Sequence, residues 1–180
     1  VVSEGLVLGV YNQFADVLLG GVEREATIAG KLRRHRPVVG DRVELRELDD
    51  GSVRIEAIED RRGTLTRGAF RGREQLVAAN VDLLVIVAAA ADPPLRSGLI
   101  DRYLVAAWRG GIAATLAITK LDRPHDEREV ERVRALLESL GHRVVEVNPR
   151  TGEGVERVRA LIDHRVAVLA GHSGVGKTTI

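Results

Sequence analysis

The sequence contains no cysteine and no methionine in its 180 residues. Without cysteine, neither a disulfide framework nor a cysteine-ligated zinc site can form within these residues. Long apolar runs are also missing, because the longest, residues 83–91, is far shorter than the roughly 20 residues of a membrane-spanning helix. The first residues lack the basic and apolar segments of a secretory signal. We therefore expect a cytoplasmic protein with no membrane partner.

The formal net charge is only +1, which excludes a surface that is basic throughout but allows local basic patches. Lysine is scarce and provides three of the 27 basic residues, at positions 31, 120 and 177. A guanidinium cannot replace a compact ammonium at every site, so each remaining lysine is a candidate for a specific role, with chance as the alternative. Hydrophobic residues at 44% and charged residues at 29% are ordinary for a globular chain.

Short segments in which apolar and polar residues alternate fill the first 62 positions. This pattern is typical of strands with one buried face, and glycine, asparagine, proline and aspartate separate the segments. Several short strands in one small segment predict a closed barrel, because closure removes exposed strand edges. The predicted strands are residues 4–11, 14–19, 25–29, 42–47 and 52–59.

From residue 81 the pattern changes to apolar strands that alternate with amphipathic helices. Residues 81–90 and 113–119 are almost entirely apolar, as in strands buried on both faces of a sheet. Ser97 is predicted to cap the helix between them, with Tyr103 and Trp108 on its buried side. The alternating order predicts an α/β domain with a parallel sheet. Further strands are predicted at 143–147 and 166–170, and further helices at 126–140 and 155–162.

A phosphate-binding motif follows the last predicted strand. Residues 171–178 read GHSGVGKT and match G-x-x-x-x-G-K-[ST] in full. In this motif the glycines let backbone N–H groups face the phosphates, Lys177 would reach the β- and γ-phosphates, and the Thr178 hydroxyl would hold Mg²⁺. A glycine-rich turn before an ordinary helix is the alternative. The predicted nucleotide-binding residues are Gly171, His172, Ser173, Gly174, Val175, Gly176, Lys177, Thr178 and Thr179, with Lys177 and Thr178 as catalytic candidates.

The helix expected after this motif is cut short, because the sequence ends at Ile180. Such a helix would normally continue for about a dozen residues. Together with the missing initiator methionine, this predicts that the natural protein extends beyond both ends of the sequence.

A second motif, TKLD at residues 119–122, follows a predicted buried strand. It is similar to the N-K-x-D motif with which GTPases recognise guanine. Asp122 would accept hydrogen bonds from guanine N1–H and N2–H₂, which adenine cannot offer, and the Lys120 stem would pack along the base. Thr119 replaces the usual asparagine, so one contact is expected to be shortened or lost. The alternative is a helix start capped by Asp122.

A third segment, VNPRTGEG at residues 147–154, resembles the S-A-K-T-G-E-G stretch of GTPases, in which a backbone N–H contacts guanine O6. Pro149 occupies the position of that donor and has no N–H. The contact is therefore predicted to pass to the Arg150 N–H, or to require a shifted loop. A polar turn before a helix is the alternative.

The order of the motifs is that of a circularly permuted GTPase domain, because the base-recognition motif precedes the phosphate loop. Loops near joined termini tolerate such rearrangement. A small barrel before a permuted GTPase domain resembles the ribosome small-subunit-dependent GTPases (the RsgA/YjeQ family). Three more segments carry this resemblance: PVVGDRV at residues 37–43, AANVD at 78–82 and IDRYL at 100–104.

The resemblance covers essentially the whole chain and implies an all-β OB-fold barrel (1–62), a connector (63–80) and an incomplete α/β P-loop GTPase domain (81–180). It implies GTP or GDP with Mg²⁺ as ligands, and late maturation of the small ribosomal subunit as the function, with the subunit stimulating hydrolysis by a monomer. The switch segments, the D-x-x-G motif and a zinc-binding domain are expected after Ile180. The D-x-x-G match at residues 60–63 is therefore interpreted as accidental.

A basic run, KLRRHR at residues 31–36, stands in a predicted barrel loop. OB-folds bind nucleic acid through one strand face and the flanking loops, and the resemblance points to ribosomal RNA. A solvated charged loop is the alternative. The predicted RNA-binding residues are Lys31, Arg33, Arg34 and Arg36, and a second basic group comprises Arg61, Arg62, Arg67, Arg71 and Arg73.

Two aromatic residues, Tyr11 and Phe14, stand at the facing ends of the first two predicted strands. They could stack on bases. Because aromatic residues make up only 3% of the chain, we expect them to fill the barrel interior instead.

Three functions remain open on the sequence. A GTPase would couple in-line attack of water on the γ-phosphate to release from the subunit. A binding module would combine an RNA-binding barrel with a domain that only senses GTP or GDP. An ATP-dependent P-loop enzyme is the third, and Asp122 argues against it. No residue of the sequence is an obvious group for orienting the attacking water.

Overall fold

The computed structural model describes residues 2–68 and 74–180 of the chain. The chain divides into two compact units, Val1–Asn80 and Val81–Ile180. The division falls where the sequence changes from alternating short strands to buried apolar ones. Arg71 and Arg73, which the sequence assigned to the second basic group, lie outside the described residues.

Five strands of the first unit form a barrel: β1 Val2–Tyr11, β2 Phe14–Leu19, β3 Val22–Ile28, β4 Arg42–Glu47 and β5 Val53–Ile58. They form a closed barrel in the order β1-β2-β3-β5-β4, with β4 pairing back onto β1. Neighbouring strands are antiparallel except β3 and β5, which run parallel. Alternate side chains point inward, as the pleat requires. They form a core of Val7, Ala15, Val17, Ala26, Val43, Leu45, Val53 and Ile55.

Strand β3 begins at Val22, before the predicted start at residue 25. The turn that precedes it consists of Gly20 and Gly21, whose φ angles are 57° and 82°. Two-residue hairpin turns require such positive φ angles, and this one pairs Leu19 directly with Val22. Strand β3 therefore includes residues 22–24, which pair with β2. The alternation of apolar and polar side chains had left these residues outside the predicted strand.

The prediction that Tyr11 and Phe14 fill the barrel is wrong, because the two residues are 43% and 40% exposed. The inward positions of β2 belong to Ala15 and Val17, which are fully buried. Phe14 therefore points to the outer face of the sheet. Tyr11 lies directly opposite Phe14 across the hairpin, and its hydroxyl donates a hydrogen bond to the Asp16 carboxylate.

An ion pair between the buried Asp41 and the partly exposed Arg61 joins the loop before β4 to the segment after β5. The Asp41 carboxylate is fully buried and accepts two hydrogen bonds from Arg61, Nε to Oδ1 and Nη2 to Oδ2, each 2.8 Å long. It also accepts the Val38 N–H at 2.8 Å. The hydrogen bonds to Asp41 raise the pKa of Arg61. Because a buried carboxylate needs such partners, Arg61 has a structural role in the barrel. The sequence predicted Arg61 only as a member of the second basic group.

Residues 63–80, predicted as a connector, contain a two-stranded antiparallel sheet of β6 Leu65–Gly68 and β7 Glu74–Ala78. The end of this segment is fastened to the barrel. Asn80 Nδ2 donates to the Gly40 carbonyl at 2.8 Å, and Asn80 Oδ1 accepts the Arg62 N–H at 2.9 Å. Gly40 and Asn80 belong to two of the segments that carried the family resemblance, so these segments are in direct contact.

The second unit has a sheet of four parallel strands: β8 Leu83–Ala89, β9 Ala113–Thr119, β10 Arg143–Val147 and β11 Ala167–Ala170. Their order is β10-β9-β8-β11. The connecting helices are α1 Ser97–Arg109, α2 Glu127–Ser139 and α3 Val155–Ile162. Because the strands are parallel, the loops that follow them meet at one edge of the sheet. In the described part of the chain, no helix combines the length and the apolar character that a membrane crossing requires.

Two predictions about helix α1 are wrong. Ser97 is its first helical residue rather than its cap, and the residue before it makes no side-chain capping bond. Trp108 does not face the core but is 82% exposed. The buried face of α1 contains Ile100 and Ala107. Trp108 follows Ala107 and therefore lies roughly 100° further around the helix axis, away from this buried face. Tyr103, also expected in the core, is half-buried.

Candidate functional site

The loops after β9, β10 and β11 surround one cavity of about 180 Å³ at the carboxyl edge of the sheet. Open parallel sheets bind their ligands at this edge. Of the predicted nucleotide-binding residues, the cavity is lined by Thr119, Lys120, Asp122, Arg150, Gly174, Val175, Gly176 and Thr179. Arg123, Asn148 and Pro149 complete the lining. The other predicted residues, Gly171, His172, Ser173, Lys177 and Thr178, belong to the same phosphate loop but do not line this cavity.

The phosphate loop packs tightly against β8 where it leaves β11. A Cβ atom at Gly171 would lie 2.1 Å from the carbonyl oxygen of Val87, so only glycine fits at this position. Further along the loop, the Val175 side chain is buried in the core of the sheet, with 2% exposure. These two contacts fix the path of the loop over the end of the sheet.

The Lys177 side chain folds back over its own loop. Its ammonium donates to the carbonyl oxygens of Gly171 and His172 at 3.0 and 2.7 Å. An ammonium has three donors, so one remains for another acceptor, such as a phosphate oxygen. Thr178 is exposed, and its hydroxyl is the kind of oxygen ligand that suits Mg²⁺.

The Thr119 hydroxyl joins two of the motifs directly. Thr119 is 1% exposed, and its Oγ1 donates to the backbone carbonyl of Val175 at 2.7 Å. The sequence predicted only that threonine would shorten or lose a contact to the base. In the structure its hydroxyl holds the phosphate loop against the end of β9.

We expect Thr119→Val to weaken the binding of GTP and GDP alike, by about tenfold. Valine keeps the size of threonine but leaves the buried Val175 carbonyl without a donor, which costs about 1–3 kcal/mol. Calorimetric titration with both nucleotides measures the effect. Thr119→Ser keeps the hydroxyl and is the matched control. An unchanged affinity in the valine variant would show that the bond does not support the site.

Asp122 lines the cavity and is exposed, and no group within residues 2–68 and 74–180 donates a hydrogen bond to its carboxylate. The alternative that Asp122 caps a helix is wrong. The cap of α2 is Asp126, whose Oδ1 accepts the N–H groups of Arg128 and Glu129 at 3.1 Å each. The Asp122 carboxylate is therefore available to accept hydrogen bonds from the edge of a base.

Lys120 and Arg123 both contact the loop that follows β8. The Lys120 ammonium donates to the Asp92 carbonyl, and Arg123 Nη1 lies 3.1 Å from Asp92 Oδ2. Sequence reasoning identified neither Arg123 nor Asp92. Asp92 carries no recognisable sequence signal, because only the order of the strands brings its loop beside the TKLD motif.

Asn148 stabilises the loop after β10. Its N–H donates to the Glu153 carbonyl at 2.8 Å, and its carbonyl accepts the Gly152 N–H at 2.9 Å. Its side-chain Oδ1 accepts the Arg150 N–H at 3.1 Å. The Arg150 N–H is the donor predicted to contact guanine O6, because Pro149 has no N–H. In the structure this N–H already donates to Asn148 Oδ1, so guanine O6 must replace that oxygen or share the N–H with it.

The predicted RNA-binding residues lie between β3 and β4 of the barrel. Gly30–Arg33 forms a single 3₁₀ turn, and Arg33, Arg34 and Arg36 are exposed. Lys31 Nζ lies 3.3 Å from Glu56, so its charge is partly compensated. Within the described chain, no carboxylate forms an ion pair with any of these three arginines. The side chains of Arg33, Arg34 and Arg36 are therefore the exposed, uncompensated cations of this segment.

Comparison with known proteins identifies relatives of this chain. Residues 58–180 match the model of the RsgA GTPase family. The chain is 35% identical over 188 residues to the small ribosomal subunit biogenesis GTPase RsgA of Photorhabdus laumondii, covering 99% of this chain and 52% of that protein. It is 41% identical over 167 residues to the protein of the same name from Pseudomonas fluorescens, covering 87% of this chain and 48% of that protein. The chain thus spans about half the length of the curated relatives it matches.

Two solved structures are similar to this chain. The crystal structure of YjeQ from Thermotoga maritima matches with a TM-score of 0.79 at 29% identity, covering 99% of this chain and 63% of that one. The structure of YloQ, described as a circularly permuted GTPase, matches with a TM-score of 0.71 at 26% identity and the same coverage of 99% and 63%. The similarity therefore extends over both units.

Proposed function

The chain belongs to the RsgA GTPase family, and on this premise we propose that the protein is a GTPase that binds the small ribosomal subunit and hydrolyses GTP during its late maturation. The names of its relatives, small ribosomal subunit biogenesis GTPases, support the process. The cavity at the carboxyl edge of the sheet supports the ligand.

The hydrogen bond between Thr119 and Val175 is the observation that carries the nucleotide-binding part of this proposal. It joins the loop predicted to recognise guanine to the loop predicted to bind phosphates. Both loops line the same cavity of about 180 Å³, so one nucleotide can contact both.

We assign base recognition to Thr119, Lys120, Asp122 and Arg150, and phosphate binding to residues 171–179. Water would attack the γ-phosphorus in line, and the bond from the γ-phosphorus to the bridging oxygen would break, giving GDP and inorganic phosphate. Lys177 would stabilise the negative charge that develops on the phosphate oxygens. Mg²⁺ held by the Thr178 hydroxyl would supply further positive charge.

We propose that the barrel is an OB-fold. The strand order β1-β2-β3-β5-β4, with β3 and β5 parallel, supports this assignment, since OB-folds are five-stranded Greek-key barrels. Residues 1–62 would form the OB-fold, 63–80 the connector and 81–180 the permuted GTPase domain. The compact units divide after Asn80, so the connector residues belong to the same unit as the barrel.

Ribosomal RNA is the proposed partner of the barrel, through Lys31, Arg33, Arg34 and Arg36. Exposed cations on an OB-fold loop suit the phosphate backbone of RNA. The remaining parts of the proposal are a monomeric, cytoplasmic protein and a zinc-binding domain beyond Ile180, and they rest on the family resemblance.

Neutralising Arg33, Arg34 and Arg36 together to glutamine is expected to weaken binding to small subunits and to flatten its salt dependence. Each phosphate contact adds about one unit to the slope of log K against log[salt]. Nucleotide affinity should stay unchanged, because these residues belong to a different unit from Lys177. Sedimentation binding at several salt concentrations measures the slope. The matched control neutralises three exposed arginines of the helices, Arg128, Arg157 and Arg159. Parental affinity and slope in the barrel triple variant would mean that the segment is only solvated.

Single-turnover GTP hydrolysis by the intact protein, with and without small subunits, tests the proposed function. We expect subunits to accelerate hydrolysis. If RNA and GTP bind but no hydrolysis occurs in either condition, the alternative of an RNA-binding module that senses nucleotide would replace the proposal. If ATP competes as well as GTP, an ATP-dependent P-loop enzyme would replace it.

A further inference from the structure

Asp122 lies next to an arginine but is not paired with it. Arg123 follows Asp122 in the chain, and both residues line the nucleotide cavity. Among the residues that the structure describes, none makes a hydrogen bond or an ion pair with the Asp122 carboxylate. A guanidinium this close to a free carboxylate is a natural partner for it, because charge-assisted hydrogen bonds are stronger than neutral ones. Another group must therefore hold the Arg123 side chain.

The group that holds Arg123 is Asp92, in the loop after β8. Arg123 Nη1 lies 3.1 Å from Asp92 Oδ2, and the side chains of Arg123 and Asp92 are 41% and 79% exposed. Exposed ion pairs add little to the free energy of unfolding, so stability does not explain this one. The pair does determine where the positive charge of Arg123 lies, and that position is on the loop after β8 rather than on Asp122.

The two loops are joined without this ion pair. The Ala90 N–H donates to the Thr119 carbonyl at 2.9 Å, and the Lys120 ammonium donates to the backbone carbonyl of Asp92. Neither hydrogen bond uses the Asp92 carboxylate. The carboxylate is therefore not needed to fasten the loop after β8 to the TKLD motif, and its own contribution is to bind the Arg123 guanidinium.

We propose that Asp92 is a positioning residue for base recognition, which keeps the Arg123 guanidinium away from the Asp122 carboxylate. Asp122 contacts guanine as an acceptor of hydrogen bonds. An Arg123 released from Asp92 would donate to the same carboxylate oxygens, and guanine would have to compete with it. Asp92 thus preserves the free carboxylate on which the preference for guanine depends. This inference rests on the proposed assignment of Asp122 to base recognition, but it needs neither hydrolysis nor a ribosomal partner.

Asp92→Asn in the intact protein tests this role. Asp92 has a φ of 47°, and asparagine adopts this left-handed conformation more readily than most residues, so the variant removes the charge and keeps the backbone. We expect the affinity for GDP to fall about twofold to fivefold, which is the strength of an exposed ion pair. The affinity for ADP should not change, because adenine lacks the N1–H and 2-amino donors. Competition titration with the two diphosphates measures both affinities.

Removing the competing arginine should reverse the loss. The double variant Asp92→Asn with Arg123→Gln has no guanidinium beside Asp122, so it should bind GDP as the parent does. Arg123→Gln alone should also keep the parental affinity. Added salt should narrow the difference between Asp92→Asn and the parent, because it screens the pairing of Arg123 with Asp122. If the ion pair served only to support the loop, Arg123→Gln would weaken GDP binding as Asp92→Asn does, and the double variant would not recover.

Glu156→Gln is the matched control. It removes the acid from another exposed ion pair, that of Arg159 with Glu156 at 2.7 Å on helix α3, and should change neither affinity. Thermal unfolding of each variant establishes that it is folded.

The inference is overturned if a folded Asp92→Asn variant binds GDP as the parent does, or loses affinity for GDP and ADP alike. It is also overturned if Arg123→Gln does not restore GDP binding to Asp92→Asn. A parent that binds GDP and ADP equally would refute the base assignment in the proposed function, and this inference with it. A parent that prefers GDP but does not hydrolyse GTP would refute the proposed activity alone.

Discussion

Lys177→Ala is expected to abolish GTP hydrolysis and to weaken triphosphate binding strongly. Removing a preorganised positive group from a transferring phosphate lowers the rate on the order of a hundredfold to a thousandfold. The structure adds a second reason. The ammonium also donates to the carbonyls of Gly171 and His172 at 3.0 and 2.7 Å, so alanine removes the bonds that close the phosphate loop.

Single-turnover hydrolysis with small subunits, together with titration of GTP and GDP, measures this loss. Lys177→Arg keeps the charge, but its planar guanidinium cannot occupy the place of an ammonium, and we expect it to be nearly as inactive. Arg165→Ala removes one exposed positive charge outside the nucleotide loops and should hydrolyse GTP normally. A Lys177→Ala protein with the parental, subunit-stimulated rate would refute the assigned role.

Asp122→Asn is expected to lower GTP affinity by about 2–4 kcal/mol. An amide turns two hydrogen bonds that the carboxylate accepts into an opposition of donors, and an unpaired donor is costly where water is excluded. No described residue donates to the Asp122 carboxylate, so the substitution breaks no contact within residues 2–68 and 74–180. Xanthine nucleotides present an acceptor at the guanine amino position and should bind the variant better than the parent.

Competition between GTP, xanthosine triphosphate and ATP measures this change of specificity. The matched control is Asp126→Asn on the neighbouring helix. Asparagine caps a helix about as well as aspartate, so this variant should keep the parental preference for GTP. If ATP and GTP compete equally for the parent, the assignment of residues 119–122 to base recognition is wrong.

The parallel sheet and its three loops could be predicted from the sequence because each loop has its own motif directly after an apolar strand. The side-chain positions could not be predicted in the same way. Because aromatic residues are scarce, Phe14 was predicted to lie inside the barrel. In the structure the inward positions of β2 are occupied by Ala15 and Val17. Trp108 lies only one residue from the buried Ala107, and helix periodicity is too coarse to decide between neighbours.

Residues whose partners are distant in the chain were the hardest to predict. Arg61 was predicted only as a member of a basic group. In the structure its guanidinium binds the Asp41 carboxylate, in the loop before β4. Thr119 looked like a weakened base contact, because nothing in the sequence shows that its hydroxyl meets Val175. In both cases the decisive atom belongs to a different loop, and strand order alone brings the two loops together.

The contacts that Arg61 makes affect the rate at which the barrel would bind a polyanion. Besides holding Asp41, its Nη2 donates to the carbonyl of Arg36 at 3.0 Å, while the other end of the basic segment emerges from strand β3. The segment is thus anchored at both ends before any encounter. Fixing the backbone of one residue costs about 1–2 kcal/mol in entropy, and much of that cost is met when the barrel folds. Association should then be governed by electrostatic steering rather than by ordering of the loop, with an on-rate that falls as salt is added.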